Sequence, residues 1–191
     1  MGADEGIRSE WERMLAGESY DPLDQTLVQA RERAHDLCLA LNATRESERA
    51  ERRRLVGQLF GQSGADTWLQ PPFYCDYGVN IFLGERVFFN FNCVVLDVCK
   101  VSIGNSTLFG PAVQIYTALH SMDAEQRQTG EFGRPVEIGS DVWVGGAAVI
   151  CPGVKIGSRS VIGAGSVVTR NIPDDVFAAG NPCRVIRRLR E

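Results

Sequence analysis

Histidine is the scarcest resource of this chain: only His35 and His120 occur among 191 residues. A catalytic zinc centre built on three histidines is therefore excluded. The chain also lacks any stretch approaching the ~20 apolar residues of a membrane helix, since the apolar Val142–Val154 run is broken by Gly145, Gly146 and Pro152. No excess of positive charge is present: the net charge of −4 gives no general attraction to nucleic acid or to an acidic membrane face. The N-terminal MGADEGIRSEW has no apolar core of the secretory kind and does not fit the myristoylation pattern. Among six cysteines there is no C-x-x-C spacing. Reduced, interior cysteines and a cytoplasmic protein are expected.

What the chain does contain is a period. From Val136 to Arg170 aliphatic residues recur at every sixth position: Ile138, Val144, Ile150, Ile156, Ile162 and Val168. Five of these six are followed by Gly or Thr, and a small or β-branched residue returns four places after each. Period six suits neither a helix nor a single half-buried strand, whose periods are 3.6 and 2. It suits a chain that makes a short strand, turns a corner and repeats, the pattern of a hexapeptide β-solenoid.

The same series appears earlier, as Leu83, Phe89 and Val95, then Ile103, Phe109 and Ile115. Val95 to Ile103 is a step of eight, so one corner carries two extra residues. Three hexads close one triangular coil, giving coils over 83–102, 103–120, 138–155 and 156–173. Gly, with 20 copies, is concentrated in this half, as corners require. Between the second and third coils the polar, aperiodic Ser121–Arg134 leaves the solenoid, with His120 at its root. Such excursions from a rigid scaffold commonly carry function.

Residues 9–62 read as helical. Ser9 with Glu12 forms a capping box, Ala16-Gly17 ends the first helix, and Tyr20-Asp21-Pro22 is a turn. Leu27, Ala30, Ala34, Leu37 and Leu41 form one face of a second helix over Asp24–Leu41. A charged third helix is predicted to open at Thr44 and end near Phe60-Gly61. Beyond Pro173, Phe177–Pro182 reads as a loop and Arg184–Leu189 as a short basic helix or strand.

Four blocks, FYCDYGVNI (73–81), FFNFNCVVLDV (88–98), IYTALHSMD (115–123) and VWVGGAAVICPGVKIG…VIGAGSVVTRNIPDDVFAAGNPCRVIR (142–187), are specific enough to carry a family likeness. They resemble the hexapeptide-repeat O-acetyltransferases that acetylate sugars, the maltose and galactoside acetyltransferase group. The resemblance implies an all-β solenoid, a left-handed parallel β-helix over 71–187 with an excursion loop at 121–137, under a small N-terminal helical cap at 9–62. It also implies a homotrimer with sites between subunits, acetyl-CoA as co-substrate, no metal, and acetyl transfer to a hydroxyl of a small acceptor. Left-handedness is imported with the family, because the general rule for parallel crossovers favours the opposite hand.

By the same resemblance His120 matches the catalytic histidine, a base that takes the hydroxyl proton as the oxygen attacks the thioester. His35 sits in the helical pattern among charges and reads as surface. Asn90 matches the residue that stabilises the transition state. Asp21, Arg31, Asp76 and Asp97 align with acceptor-contacting positions, and Tyr74 or Phe132 offers a ring to a sugar face. Trp143, Gly145 and Gly146 match the acyl-CoA wall, Ala164, Thr169 and Arg170 line the pantetheine arm, and Arg184 and Arg187 face the nucleotide phosphates. Asp76 replaces the serine of the galactoside branch, and Val98 replaces an aspartate there, which favours a glucosyl acceptor. Ser121 stands where the family commonly has proline, a departure that bears on the loop's path. Two alternatives remain: a hydroxylated natural product or antibiotic as acceptor, and a non-catalytic trimeric binding module.

Overall fold

The computed structural model describes residues 8–189. The MGADEG stretch read above lies outside these residues.

Three helices come first. α1 (Glu10–Ala16) starts at Ser9, whose side chain accepts from the Glu12 N–H while the Glu12 carboxylate returns to the Ser9 N–H at 2.8 Å. It stops at Gly17 in the left-handed region, φ 73°. α2 (Gln25–Asn42) is capped by Asp24 and buries Leu27, Ala34, Cys38 and Leu41. α3 covers Arg49–Leu59 rather than opening at Thr44. The Thr44 hydroxyl donates back to the Leu41 carbonyl and the Glu48 carboxylate accepts from the Arg45 N–H, so residues 44–48 form a turn. Among the described residues no helix is long and apolar enough to cross a membrane.

The rest of the chain winds into a left-handed parallel β-helix with three faces. The first face stacks β1 (Trp68–Leu69), β4 (Phe88–Phe89), β7 (Leu108–Phe109), β12 (Trp143–Val144), β15 (Val161–Ile162) and β17 (Val176–Ala179). The second stacks β2 (Phe73–Cys75), β5 (Cys93–Leu96), β8 (Gln114–Tyr116), β13 (Val149–Ile150) and β16 (Val167–Val168). The third stacks β3 (Ile81–Leu83), β6 (Val101–Ile103), β11 (Val136–Ile138) and β14 (Lys155–Ile156). Every hexad residue named above points inward and is buried. Leu83, Ile103, Ile138 and Ile156 form one aligned column, and Phe89, Phe109, Val144 and Ile162 another. Phe89 and Phe109 stack at 4.4 Å. Each such buried side chain contributes roughly 1.5–3 kcal/mol.

Three parts differ from the sequence reading. The solenoid starts before Leu83: β1 and β2 precede β3 and complete a first coil with it, with Leu69, Cys75 and Leu83 pointing inward. Phe177–Pro182 is not all loop: Val176–Ala179 is a strand of the first face, and β18 (Arg184–Arg188) pairs antiparallel with it. The excursion is also shorter than 121–137, because Val136 and Glu137 already pair with Val101 and Ser102. Its two ends form a hairpin, β9 (Ala118–Leu119) against β10 (Phe132–Gly133).

The corners explain the small residues. Among the described residues eight other than glycine have positive φ, including Asn92, Ala112 and Ala147 at successive first-to-second corners. The left-handed conformation costs a non-glycine residue roughly 1–2 kcal/mol. Each of these three N–H groups donates to the preceding coil, to Pro72, Phe91 and Pro111 at 2.7–2.9 Å, which offsets that strain.

The second-to-third corner is the one that accepts insertions. Cys75 to Leu83 and Val95 to Ile103 are each eight residues, and Ile115 to Ile138 encloses the whole excursion. Asp76, Asp97 and His120 all lie on this corner.

Candidate active site

His120 follows β9 with its side chain 57% exposed, and Nε2 lies 3.4 Å from a Glu131 carboxylate oxygen. Around it is a cleft of about 170 Å³ lined by Asp21, Pro22, Leu23, His120, Arg127, Gln128, Thr129, Gly130 and Glu131. The cap supplies Asp21 through Leu23 and the excursion supplies the rest. Two backbone hydrogen bonds join these parts, Tyr20 N–H to Glu131 C=O at 3.0 Å and Glu131 N–H to Tyr20 C=O at 3.1 Å. The buried Tyr20 hydroxyl donates to Glu131 Oε2 at 2.7 Å. Burial, then its bond to Glu131, pushes the Tyr20 phenol well up, so it stays a donor.

Asp21 is exposed and accepts the Leu23 N–H. Arg31, on α2, donates to the Tyr77 hydroxyl at 2.8 Å and to the Pro22 carbonyl at 2.7 Å, fixing the turn that presents Asp21. Asp76 is half-buried; desolvation and the neighbouring Glu131 charge raise its pKa to about 6, with Arg31 opposing. Asp21 and Glu131 thus share the cleft with His120, and Asp76 is tied to them through the Glu131 charge.

Asp97 lies deeper than Asp21 and Asp76. It is fully buried, and its carboxylate accepts the backbone N–H groups of Asp76 (3.0 Å), Tyr77 (2.9 Å) and Asn80 (3.3 Å). Desolvation raises its pKa well above the usual carboxylate range. These bonds hold the 76–80 corner in shape beside Asp76.

Asn90 follows β4 at the first-to-second corner. Its Oδ1 accepts the Phe91 N–H at 2.8 Å, which fixes the amide so that its NH₂ is the end left to donate. Asn90 and His120 therefore occupy different corners of one protomer. The second face between those corners is three to four residues wide, roughly 10–15 Å at the rise of an extended chain.

The donor-side residues divide the same way. Trp143, Gly145, Gly146 and Ala164 lie on the first face or at its corner with the second, with Trp143 56% exposed. Gly146 N–H makes no hydrogen bond among the described residues. Gly145 is buried and its N–H donates to the Ile162 carbonyl at 2.8 Å, so that group is spent on packing one coil against the next. Thr169 and Arg170 are exposed at the second-to-third corner, the His120 side. Arg184 and Arg187 lie on the exposed β18 beside β17, with the Arg187 guanidinium 5.9 Å from the Phe177 ring centroid. Tyr74 projects from the second face and Phe132 is half-buried in the hairpin. His35 is exposed on α2.

Among the described residues no three His, Cys, Asp or Glu side chains converge as a metal would need. Glu131 is the carboxylate beside His120 that sequence reasoning missed. Its partners Tyr20 and His120 come from the cap and the far side of the excursion, and no local spacing marks it.

Comparison with known proteins agrees with this geometry. Residues 13–64 match the maltose acetyltransferase hexapeptide capping motif, and residues 135–170 match the bacterial transferase hexapeptide repeat. Nodulation protein L of Rhizobium meliloti is 47% identical over 93% of this chain and 98% of its own. A maltose O-acetyltransferase from Clostridium difficile 630 superposes with a TM-score of 0.95 at 46% identity, covering 97% of this chain and 100% of that one. A galactoside acetyltransferase in complex with coenzyme A gives 0.92 at 39% identity, over 96% and 92%. The likeness thus spans the helical cap and the solenoid over more than nine-tenths of the chain, which belongs to the hexapeptide-repeat acetyltransferases of the maltose and galactoside acetyltransferase group.

Proposed function

We propose that the protein transfers acetyl from acetyl-CoA to a hydroxyl of a sugar or similar small polyol, in a ternary complex, with His120 as general base. The observation that carries this reading is the exposed His120 imidazole at the edge of a small, carboxylate-lined cleft. Carboxylates such as Asp21 and Asp76 accept from the several hydroxyls of a sugar, while a neutral imidazole takes the proton of the one that reacts. The acceptor oxygen attacks the thioester carbonyl carbon as His120 takes its proton. The tetrahedral oxyanion forms against the Asn90 NH₂ and the Gly146 N–H. Collapse breaks the C–S bond, the imidazolium returns the proton to sulfur, and the acetate ester and free CoA leave.

Because His120 and Asn90 sit on different corners, the site needs two subunits. The second face pointed at a rotation axis would set the His120 corner of one subunit against the Asn90 corner of the next. Its outward column, Tyr74, Val94, Gln114, Val149 and Val167, has one polar amide among apolar residues, which suits such an interface. With three subunits the ring closes, giving a homotrimer with three shared sites. Trp143 and Gly146 from one subunit would then face Thr169 and Arg170 from its neighbour across the pantetheine arm. Arg184 and Arg187 supply charge for the nucleotide phosphates.

Free CoA measured with acetyl-CoA and a panel of glucosides, galactosides, amino-sugars and hydroxylated natural products tests the reading. Turnover with at least one glucosyl acceptor, reduced at least 100-fold in His120→Ala, is the expected result. A His120→Ala protein within a few-fold of wild type would refute the base assignment.

A further inference from the structure

We infer that Glu131 is a positioning residue for His120: its carboxylate, locked by Tyr20, orients the imidazole and faces the positive charge formed when His120 takes the acceptor proton. The inference rests on the base role of His120 given above and adds the group that completes it.

Three features support it. First, the two carboxylate oxygens have separate partners. Oε2 accepts the Tyr20 hydroxyl at 2.7 Å, and Oε1 lies 3.4 Å from His120 Nε2. That gap is longer than a formed hydrogen bond and short enough to close by a small ring movement, as catalytic contacts do once substrate is bound. Second, the carboxylate is held. Its side chain is 18% exposed, its backbone is bridged to Tyr20 on both sides, and Tyr20 is 2% exposed. The preceding Gly130 allows this approach, since a Cβ there would lie 2.5 Å from Ser19 Oγ and 2.9 Å from the Tyr20 carbonyl oxygen. Third, holding Glu131 here carries an electrostatic cost. Asp76 lies close enough for the Glu131 charge to raise its pKa, and only Arg31 opposes that effect. An arrangement that sets two carboxylates close together and fixes one of them on histidine suggests use rather than stability. Other polar and charged groups around Glu131 are Asp21 and Arg127 in the cleft and Tyr77 behind it.

The test is a double-mutant cycle on kcat and KM. Glu131→Gln should lower kcat roughly 10- to 100-fold, part of the effect expected of acid–base catalysis. KM for acetyl-CoA should stay within about twofold, since the residue makes no contact on the donor side. Glu131→Asp should restore part of kcat, and Tyr20→Phe, which releases Oε2, should cost less than Glu131→Gln. In a His120→Ala background Glu131→Gln should lower the residual turnover by no more than twofold, whereas a general structural role would cost as much there as in wild type. A Glu131→Gln enzyme with wild-type kcat, a full effect that persists without His120, or a raised acceptor KM at unchanged kcat would each overturn the inference. An inactive His120→Ala beside an unimpaired Glu131→Gln would overturn the inference alone. An active His120→Ala would remove the base assignment and the inference with it.

Discussion

Gly145→Ala should loosen the solenoid at one identifiable seam. A Cβ at Gly145 would lie 2.5 Å from the Ala164 nitrogen, 2.9 Å from its Cα and 2.9 Å from the Ile162 carbonyl oxygen. All three atoms are backbone of the next coil, so no side chain can swing aside. Relieving the overlap requires the two coils to part by about 1 Å, because non-bonded carbon contacts settle near 3.5–4.0 Å. At that separation the Gly145 N–H to Ile162 bond of 2.8 Å and the Gly165 N–H to Gly146 bond of 2.9 Å both pass beyond hydrogen-bond range. Two lost bonds, one leaving a buried donor unpaired, amount to about 3 kcal/mol. For a chain of this size that lowers the melting temperature by about 10 °C. Gly165→Ala is the control. It has φ +67° but nothing within 4 Å of its Cβ. Its left-handed strain, about 1 kcal/mol, is offset in part by reduced freedom of the unfolded chain. Thermal unfolding followed by circular dichroism at one protein concentration compares the two variants. A Gly145→Ala protein that melts no lower than Gly165→Ala would refute the packing argument.

Two further variants address the site. Asp76 has a native pKa of about 6 against an ordinary 3.8, so the folded state binds its proton more tightly. Native stability therefore falls as pH rises through that window, and Asp76→Asn removes the fall. Melting temperatures of the two proteins should agree near the lower value and diverge above the upper one, with Asp76→Asn the more stable; parallel curves would contradict this. Trp143→Ala, at a side chain 56% exposed, should change the melting temperature little and raise KM for acetyl-CoA roughly tenfold, as expected for loss of an aromatic anchor. An unchanged KM would remove Trp143 from the donor cleft.

Period and fold were legible together because one inward residue per face repeats in every coil. Ile138 through Val168 needed only that count. The first coil escaped because Leu69 and Cys75 offer a single six-residue step, interrupted by Pro71-Pro72 and followed by an eight-residue corner. β17 escaped because its neighbours Gly180, Asn181 and Pro182 suggest a turn, while its pairing with β15 and β18 is visible only in three dimensions. At the site, the reading of His120 and Asn90 rests on residue type and family position. What Asp97 does was not legible, because burial decides whether a carboxylate meets ligand or backbone, and its backbone donors lie 17–21 residues away. Gly145 and Gly146 are adjacent and alike in sequence, yet one N–H is spent on the ladder and the other is not. Glu131 depends on Tyr20, 111 residues distant, a contact that no local pattern encodes.

The central claim is that His120 and Asn90 act in one site although one protomer holds them on different corners. Subunit mixing tests it most directly. His120→Ala and Asn90→Ala proteins, each nearly inactive alone, are unfolded together, refolded as an equal mixture and assayed for CoA release. Random assembly gives an intact His120 beside an intact Asn90 at about one interface in four, so about a quarter of wild-type turnover should return. A mixture no more active than its two parents would place the whole site within one subunit and contradict the account.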